Sequence, residues 1–305
     1  MFRYYAAAIV LKLLSSSRLG REFYRRVLGN VFGNRRRAKK GLHPSYIEHA
    51  KELLDCCRKY QAVEDGYHLL EIGTGWMHFY SLFLRLFFDV RVTMVDAWDN
   101  RQMLALKRYF ADLEQVLDKR FSLSDEELAR ARATIGCIAR ACSFEELYES
   151  LGLEYVIDPT LSTLSDRSFD FVFSQGVLEH VRLEDLPTQI ANMGRVLRPG
   201  GIQFHHIGIG DHLASYDRSA SLKQYISYPE WIYKLLLNNQ LQYINRVQKS
   251  EFHRMFTESG MEVLEERAFD CDISKLRPRG RFQGYSSEDL RCFAVTFVLR
   301  KPVHC

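Results

Sequence analysis

The sequence predicts an α/β chain built on a parallel sheet, and three observations carry that expectation. Residues 69–76, LLEIGTGW, run from an apolar strand through Glu71 into the turn Gly73-Thr74-Gly75, the form of a loop whose backbone wraps a nucleoside-type ligand. The next apolar stretch ends in an acid, Asp96, at the distance expected of one strand, turn, helix and strand. Strand-like and helix-like segments then alternate along most of the chain, the pattern of a parallel sheet with helices packed on it.

Taken in order, Phe2, Tyr5, Ala6, Ile9 and Leu13 recur at helical spacing, so residues 2–15 read as an amphipathic helix. Its apolar stripe is suited to a membrane surface, a partner or the body of the protein. A second helical stretch over 18–30 leads to the basic run RRRAKK at 35–40, which reads as a loop bracketed by Gly33 and Gly41. Ser45 and Glu48, behind Pro44, have the spacing of a capping box and open a helix to about residue 60. Core strands follow at 67–72 and 90–95, with a helix over 76–88 between them. The breaker-poor stretch 100–153 is a helical insertion, longer than one crossover requires. Strands at 154–157, ending in Asp158, and at 169–174 precede a helix over 186–197, which Arg198-Pro199-Gly200-Gly201 stops before a strand at 202–207. Residues 211–248, with Tyr216, Tyr225, Tyr228, Trp231, Tyr233 and Tyr243, break the rhythm and read as a cap over a substrate. A helix at 249–259 and strands at 261–267 and 292–299, separated by a surface loop, complete the chain. The organisation expected is a basic helical extension over 1–60 and one main domain over 61–305.

The 305 residues are 47% hydrophobic and 26% charged, a globular composition with no apolar run long enough to span a bilayer. Residues 1–41 hold eleven Lys or Arg against the single acid Glu22, although the whole chain carries only +4. That asymmetry suits an anionic contact: phospholipid headgroups, a phosphate-bearing substrate or nucleic acid. The seven cysteines, Cys56, Cys57, Cys137, Cys142, Cys271, Cys292 and Cys305, include no CxxC pair, as expected of reduced thiols in a cytoplasm and not of a structural zinc site.

Four segments together resemble class I S-adenosylmethionine-dependent methyltransferases of the type-11-like kind: LEIGTG at 70–75, VDAW at 95–98, FDFVFSQGVLEHV at 169–181 and MGRVLRPGG at 193–201. The resemblance implies a Rossmann-like sheet of seven strands with helices on both faces and the last strand inserted antiparallel. It also implies S-adenosyl-L-methionine as cofactor, with Glu71 and the Gly73-Thr74-Gly75 backbone on its methionine part and Asp96, followed by Ala97, on the ribose. Asp158 would meet the adenine amine, with a competing role as a turn residue before Pro159, and Ser174 and Gln175 would lie beneath the cofactor. The sequence departs from the family at Met77, where many members carry a third glycine, and His78 stands where a nicotinamide fingerprint would need one.

Methyl transfer to oxygen or nitrogen is an in-line displacement, and a base helps when the acceptor is a hydroxyl. The candidates are His206 and His212, with His180 read also as part of its loop's architecture. Strand alternation sends His205 and His206 to opposite faces. Asp211 and His212 follow a strand tip where ligands collect, but with no second acid at a defined spacing no metal site is read. The expected function is methylation of a small-molecule hydroxyl on a sugar, glycolipid or secondary metabolite, in the cytoplasm and with possible peripheral membrane contact through 1–41. The alternatives are an RNA methyltransferase, for which no recognition module is found, and an inactive cofactor-binding partner subunit.

Overall fold

The computed structural model describes residues 1–303; Cys305 lies outside them. Seven strands form one mixed sheet in the order β3-β2-β1-β4-β5-β7-β6. They are β1 (His68–Ile72), β2 (Arg91–Asp96), β3 (Leu153–Ile157), β4 (Phe169–Gln175), β5 (Leu197–Ile207), β6 (Glu262–Asp270) and β7 (Cys292–Arg300). β1 pairs in parallel with β2 and with β4, and β2 pairs in parallel with β3. The burial of four consecutive residues in β1 and β2 is what a strand covered on both faces requires, and it explains their unbroken apolar runs. β5 starts earlier than the sequence suggests: the RPGG turn lies within it, because Gly200 N–H donates to Lys301 O and Lys301 N–H to Gly201 O.

Contacts divide the chain into two compact units. One comprises Leu28–Gln175, Ala191–Phe204 and the residues from Arg300 onward. Here the basic run is a helix, Gly33–Lys40, and not a loop; Gly41, at φ 74°, ends it. Arg37 leaves solvent by stacking 3.5 Å over the Trp76 ring and donating to Gln102 Oε1 at 3.0 Å. The next helix, Pro44–Tyr60, is capped by His43, whose Nδ1 accepts from Ser45 N–H, so the capping box expected at Ser45 is not formed.

The other unit comprises Met1–Val27, Gly176–Ile190 and His205–Leu299. The first 27 residues therefore share a core with the aromatic-rich segment instead of standing in a separate extension. In the helix Phe2–Ser15 the buried face is Tyr4, Ala8, Leu11 and Ser15, while Phe2, Ile9 and Leu13 of the anticipated stripe face solvent. Tyr4, Ala8 and Leu11 pack with Leu213, Tyr225, Tyr233 and Ile244, and Tyr4 Oη donates to Asp211 Oδ2 at 2.7 Å. Tyr225 and Tyr233 are thus core residues and not a free lid; Tyr216 and Trp231 are the aromatics of that segment most exposed. Among the described residues no helix is long and apolar enough to cross a membrane, and the six cysteines are free thiols.

Tyr4→Ala is expected to cost about 3–5 kcal/mol, the range for emptying a buried aromatic site, and Tyr4→Phe about 1–3 kcal/mol for leaving Asp211 short of a donor. Leu13→Ser, on the opposite face, should change stability by less than about 0.5 kcal/mol. Urea denaturation of the three variants checks which face carries the fold.

Candidate active site

The loop after β1 is tied to the end of β2. Gly73 N–H donates to Val95 O at 2.7 Å and Gly75 N–H to Asp96 Oδ2 at 3.0 Å. Both glycines have positive φ, 68° and 65°, which is why the sequence needs them there. A Cβ at Gly75 would meet no atom within 4 Å, so the loop turns an open backbone face outward. Asp96 Oδ1 accepts from Ala97 N–H at 2.8 Å. Burial pushes the Asp96 carboxyl up to about 6 against the pull of the Ala97, Gly75 and Trp98 N–H groups. Ala97 itself is exposed.

Beneath the loop, Glu71 is 1% exposed, and its Oε2 accepts from Thr74 Oγ1 at 2.8 Å and from Ser81 Oγ. Burial raises its pKa to about 7, moderated by the two hydroxyls. That oxygen, expected to meet a ligand directly, is spent on shaping the loop. His78, fully buried at φ 48°, takes up the left-handed conformation that favours glycine, at the position where a nicotinamide fingerprint would need one. Its Nδ1 lies 2.9 Å from Thr74 Oγ1 and its Nε2 2.8 Å from Tyr148 Oη. Burial, with Arg101 nearby, lowers its pKa to about 3 and keeps the ring neutral.

Asp158 is where the turn role displaces the ligand role. Its Oδ1 accepts from Thr160 N–H and Oγ1, and its Oδ2 from Thr163 N–H and Oγ1, at 2.7–3.0 Å. Those four donors use all the acceptor sites of a carboxylate, leaving none for an adenine amine. Burial would raise the Asp158 pKa, but the four donors outweigh it and hold the group down to about 2. At the end of β4, Ser174 is fully buried, and both polar atoms of the Gln175 amide are buried without a partner. An amide in that state is short of the hydrogen bonds it needs.

In the other unit the candidate histidines separate. His206 Nδ1 lies 2.9 Å from Thr296 Oγ1, and its ring meets Phe269. His205 stacks on Phe256, as alternation along the strand requires. His180 and His212 do come together, with ring centroids 4.9 Å apart. Burial first, and the neighbouring His180 second, lower the His212 pKa to about 4, so it is neutral and a weak base near pH 7. Asp211, beside it in sequence, points instead to Tyr4 and the Leu213 N–H. The residue that sequence reasoning missed is Glu179, buried beside both histidines, whose Oε1 accepts from Gly208 N–H at 3.0 Å. Its only signal in the sequence is the apolar setting GVLEHV, unusual for an unpaired acid.

Asp158→Ala should lower stability at pH 7 by about 1–2 kcal/mol. A carboxylate with a depressed folded pKa stabilises above its unfolded pKa and loses that contribution as pH falls through the folded one. The gap between variant and wild type should therefore close from about pH 4 toward pH 2, as read by denaturation at each pH.

A family model described as a methyltransferase domain matches residues 34–266. No curated protein sequence matches the chain. Similar solved structures include a SAM-dependent methyltransferase from Methanosarcina mazei, at 15% identity over 80% of this chain and 97% of that one, TM-score 0.47. Phosphoethanolamine N-methyltransferase 2 of Haemonchus contortus, in complex with S-adenosyl-L-methionine, is 15% identical over 92% of this chain and 60% of that one, TM-score 0.49. The 1,6-didemethyltoxoflavin-N1-methyltransferase of Burkholderia thailandensis is 15% identical over 98% and 89% respectively, TM-score 0.44. Likenesses so distant assign no residue a role. The family model, which spans the glycine loop, the acid at the end of β2 and strands β1 to β5, does place the chain: it belongs to the methyltransferase-domain family and is an S-adenosylmethionine-dependent methyltransferase.

Proposed function

We propose that the chain methylates a hydroxyl of a small molecule such as a sugar, glycolipid or secondary metabolite. The observation that carries the acceptor reading is the pairing of His180 with His212 at the ends of the segments that follow β4 and β5. In open α/β sheets, ligands collect beyond the carboxyl ends of the strands. The open face of Gly73-Thr74-Gly75, the Asp96 carboxylate and the Gln175 amide would hold S-adenosylmethionine. When bound, that cofactor supplies a methyl group on a sulfonium. Asp96 would accept from a ribose hydroxyl with the acceptor site it does not spend on Gly75, Ala97 and Trp98. Glu71, Thr74 and His78 act one step back by fixing the loop. Within its own unit the histidine pair would offer ring nitrogens to an acceptor hydroxyl; alignment accounts for much of the acceleration of such a displacement.

A peripheral membrane contact is the second part of this reading. It is supported by exposed Phe2, Ile9, Val10, Leu13, Leu19 and Phe23, with Arg3, Arg18 and Arg26 exposed on the same segment. Apolar side chains interleaved with cations suit the boundary of an anionic bilayer.

Calorimetry should show Asp96→Ala weakening S-adenosylmethionine binding by about 1–3 kcal/mol, and Asp158→Ala leaving it within about 0.5 kcal/mol. Mass-shift screening against glycosides and RNA then tests the acceptor. A methylated product with RNA alone would replace the small-molecule reading, and cofactor binding with no product from any acceptor would favour a partner subunit. In sedimentation with phosphatidylserine vesicles, wild type should pellet and a Phe2→Ser, Ile9→Ser, Leu13→Ser variant should stay in the supernatant. A wild type that never pellets removes the membrane contact.

A further inference from the structure

We propose that Glu179, His180 and His212 form a binding site for one divalent first-row transition ion. One ligand atom from each, a carboxylate oxygen and two imidazole nitrogens, lies within 4.8 Å of the other two. Ligands held about 2.0–2.2 Å from an ion stand no more than roughly 4.2 Å apart, so a small rotation of the side chains closes the set. His180 is the exposed member and has room to make it.

The surroundings prepare each ligand. His180 Nδ1 lies 2.6 Å from Tyr243 O, an acceptor with no proton to give. Nδ1 must therefore carry the hydrogen, which leaves the Nε2 lone pair free to ligate. A carbonyl holding the distal ring nitrogen is the usual outer support of a metal-bound histidine. Glu179 is 3% exposed; Gly208 N–H takes up its Oε1, and its Oε2 is buried with no partner. A carboxylate oxygen buried in that way is costly unless something positive meets it. The short 3-10 turn Leu178–His180 that carries both ligands is clamped by Asn245: its N–H donates to Glu179 O at 2.8 Å, and its Nδ2 to Leu178 O at 2.7 Å and Val181 O at 3.1 Å. His212 opens the 3-10 turn His212–Tyr216 beyond β5. A Cβ at Gly208 would come within 2.8 Å of Glu179 Oε1 and 4.0 Å of His212 Nε2, so glycine is what lets these side chains sit against the backbone.

Two imidazoles and one carboxylate suit zinc, cobalt, iron or manganese better than magnesium or calcium, which prefer all-oxygen shells. Three protein ligands leave coordination positions open. In the methyltransferase those positions would take an acceptor bearing two adjacent oxygens, such as a vicinal diol. That last step rests on the hydroxyl-acceptor reading, whereas ion binding does not.

The test is titration of the full-length, chelator-treated protein with Co2+, followed by its visible absorption, with S-adenosylmethionine calorimetry on the same samples as a control for folding. Wild type should saturate at one equivalent. Glu179→Gln, His212→Ala and His180→Ala should each weaken Co2+ binding by about tenfold or more while still binding the cofactor. Because Glu179 is buried, the two histidine variants decide the matter if Glu179→Gln fails to fold. The proposal is overturned if wild type shows no saturable binding of Co2+ or Zn2+ up to about 1 mM, or if His180→Ala and His212→Ala bind Co2+ as wild type does. Either failure leaves the acceptor screen unaffected, so the two readings fail separately.

Discussion

A single buried carboxylate oxygen governs the loop after β1. Glu71, one residue before the end of an apolar strand, is buried, and burying it demands donors close by. Thr74 and Ser81 provide them, one from the loop and one from the helix Phe79–Leu84, so the same oxygen joins the two segments that follow β1. Because Thr74 gives its only proton to Glu71, its oxygen can only accept from His78. The hydrogen of His78 therefore sits on Nδ1, and Nε2 accepts from Tyr148. One interaction thus sets the direction of a chain of hydrogen bonds that links Ser81, Glu71, Thr74, His78 and Tyr148.

The same logic separates Asp96 from Asp158. Both follow strands whose carboxyl ends lie where a ligand would collect, and both are acids that sequence reasoning assigns to the cofactor. Asp96 is met by the backbone N–H groups of Gly75, Ala97 and Trp98 and retains one acceptor site. Asp158 is followed by Pro159-Thr160 and Thr163, whose hydroxyls and N–H groups fold back and fill it. The difference lies in the five residues after the acid, where threonine at two positions makes a local turn more favourable than an open carboxylate.

What was legible in the sequence is whatever depends on near neighbours. The strands β1, β2 and β4 follow from unbroken apolar runs, and the loop follows from two glycines that must take positive φ. The inward face of the helix Phe2–Ser15 was not legible, because Tyr4-Ala8-Leu11 and Phe2-Ile9-Leu13 both recur at helical spacing. Only a partner such as Asp211, 207 positions away, decides between them. The packing of segment 211–248, read as a cap, was hidden for the same reason: Tyr225 and Tyr233 pack with the first helix and Phe282. RRRAKK looked like a loop because its charges seemed to need water, yet Arg37 stacks on Trp76, and the glycines at either end bound a helix instead of excluding one. Glu179 escaped notice because Gly208 and His212 lie about 30 positions further along.

The acceptor half of the proposed chemistry turns on how weak a base His212 is. An alcohol holds its proton far more tightly than an imidazolium does, and His212, held down to about 4, would take it only at a steep energetic cost. His206 is occupied by Thr296. On the hydroxyl-acceptor reading, rate would come from holding the acceptor in line, from lowering the acceptor's own pKa, or from both. Those demands would fall on the turns after β4 and β5, where a buried carboxylate and two histidine rings converge and where Asn245 clamps the backbone that carries Glu179 and His180.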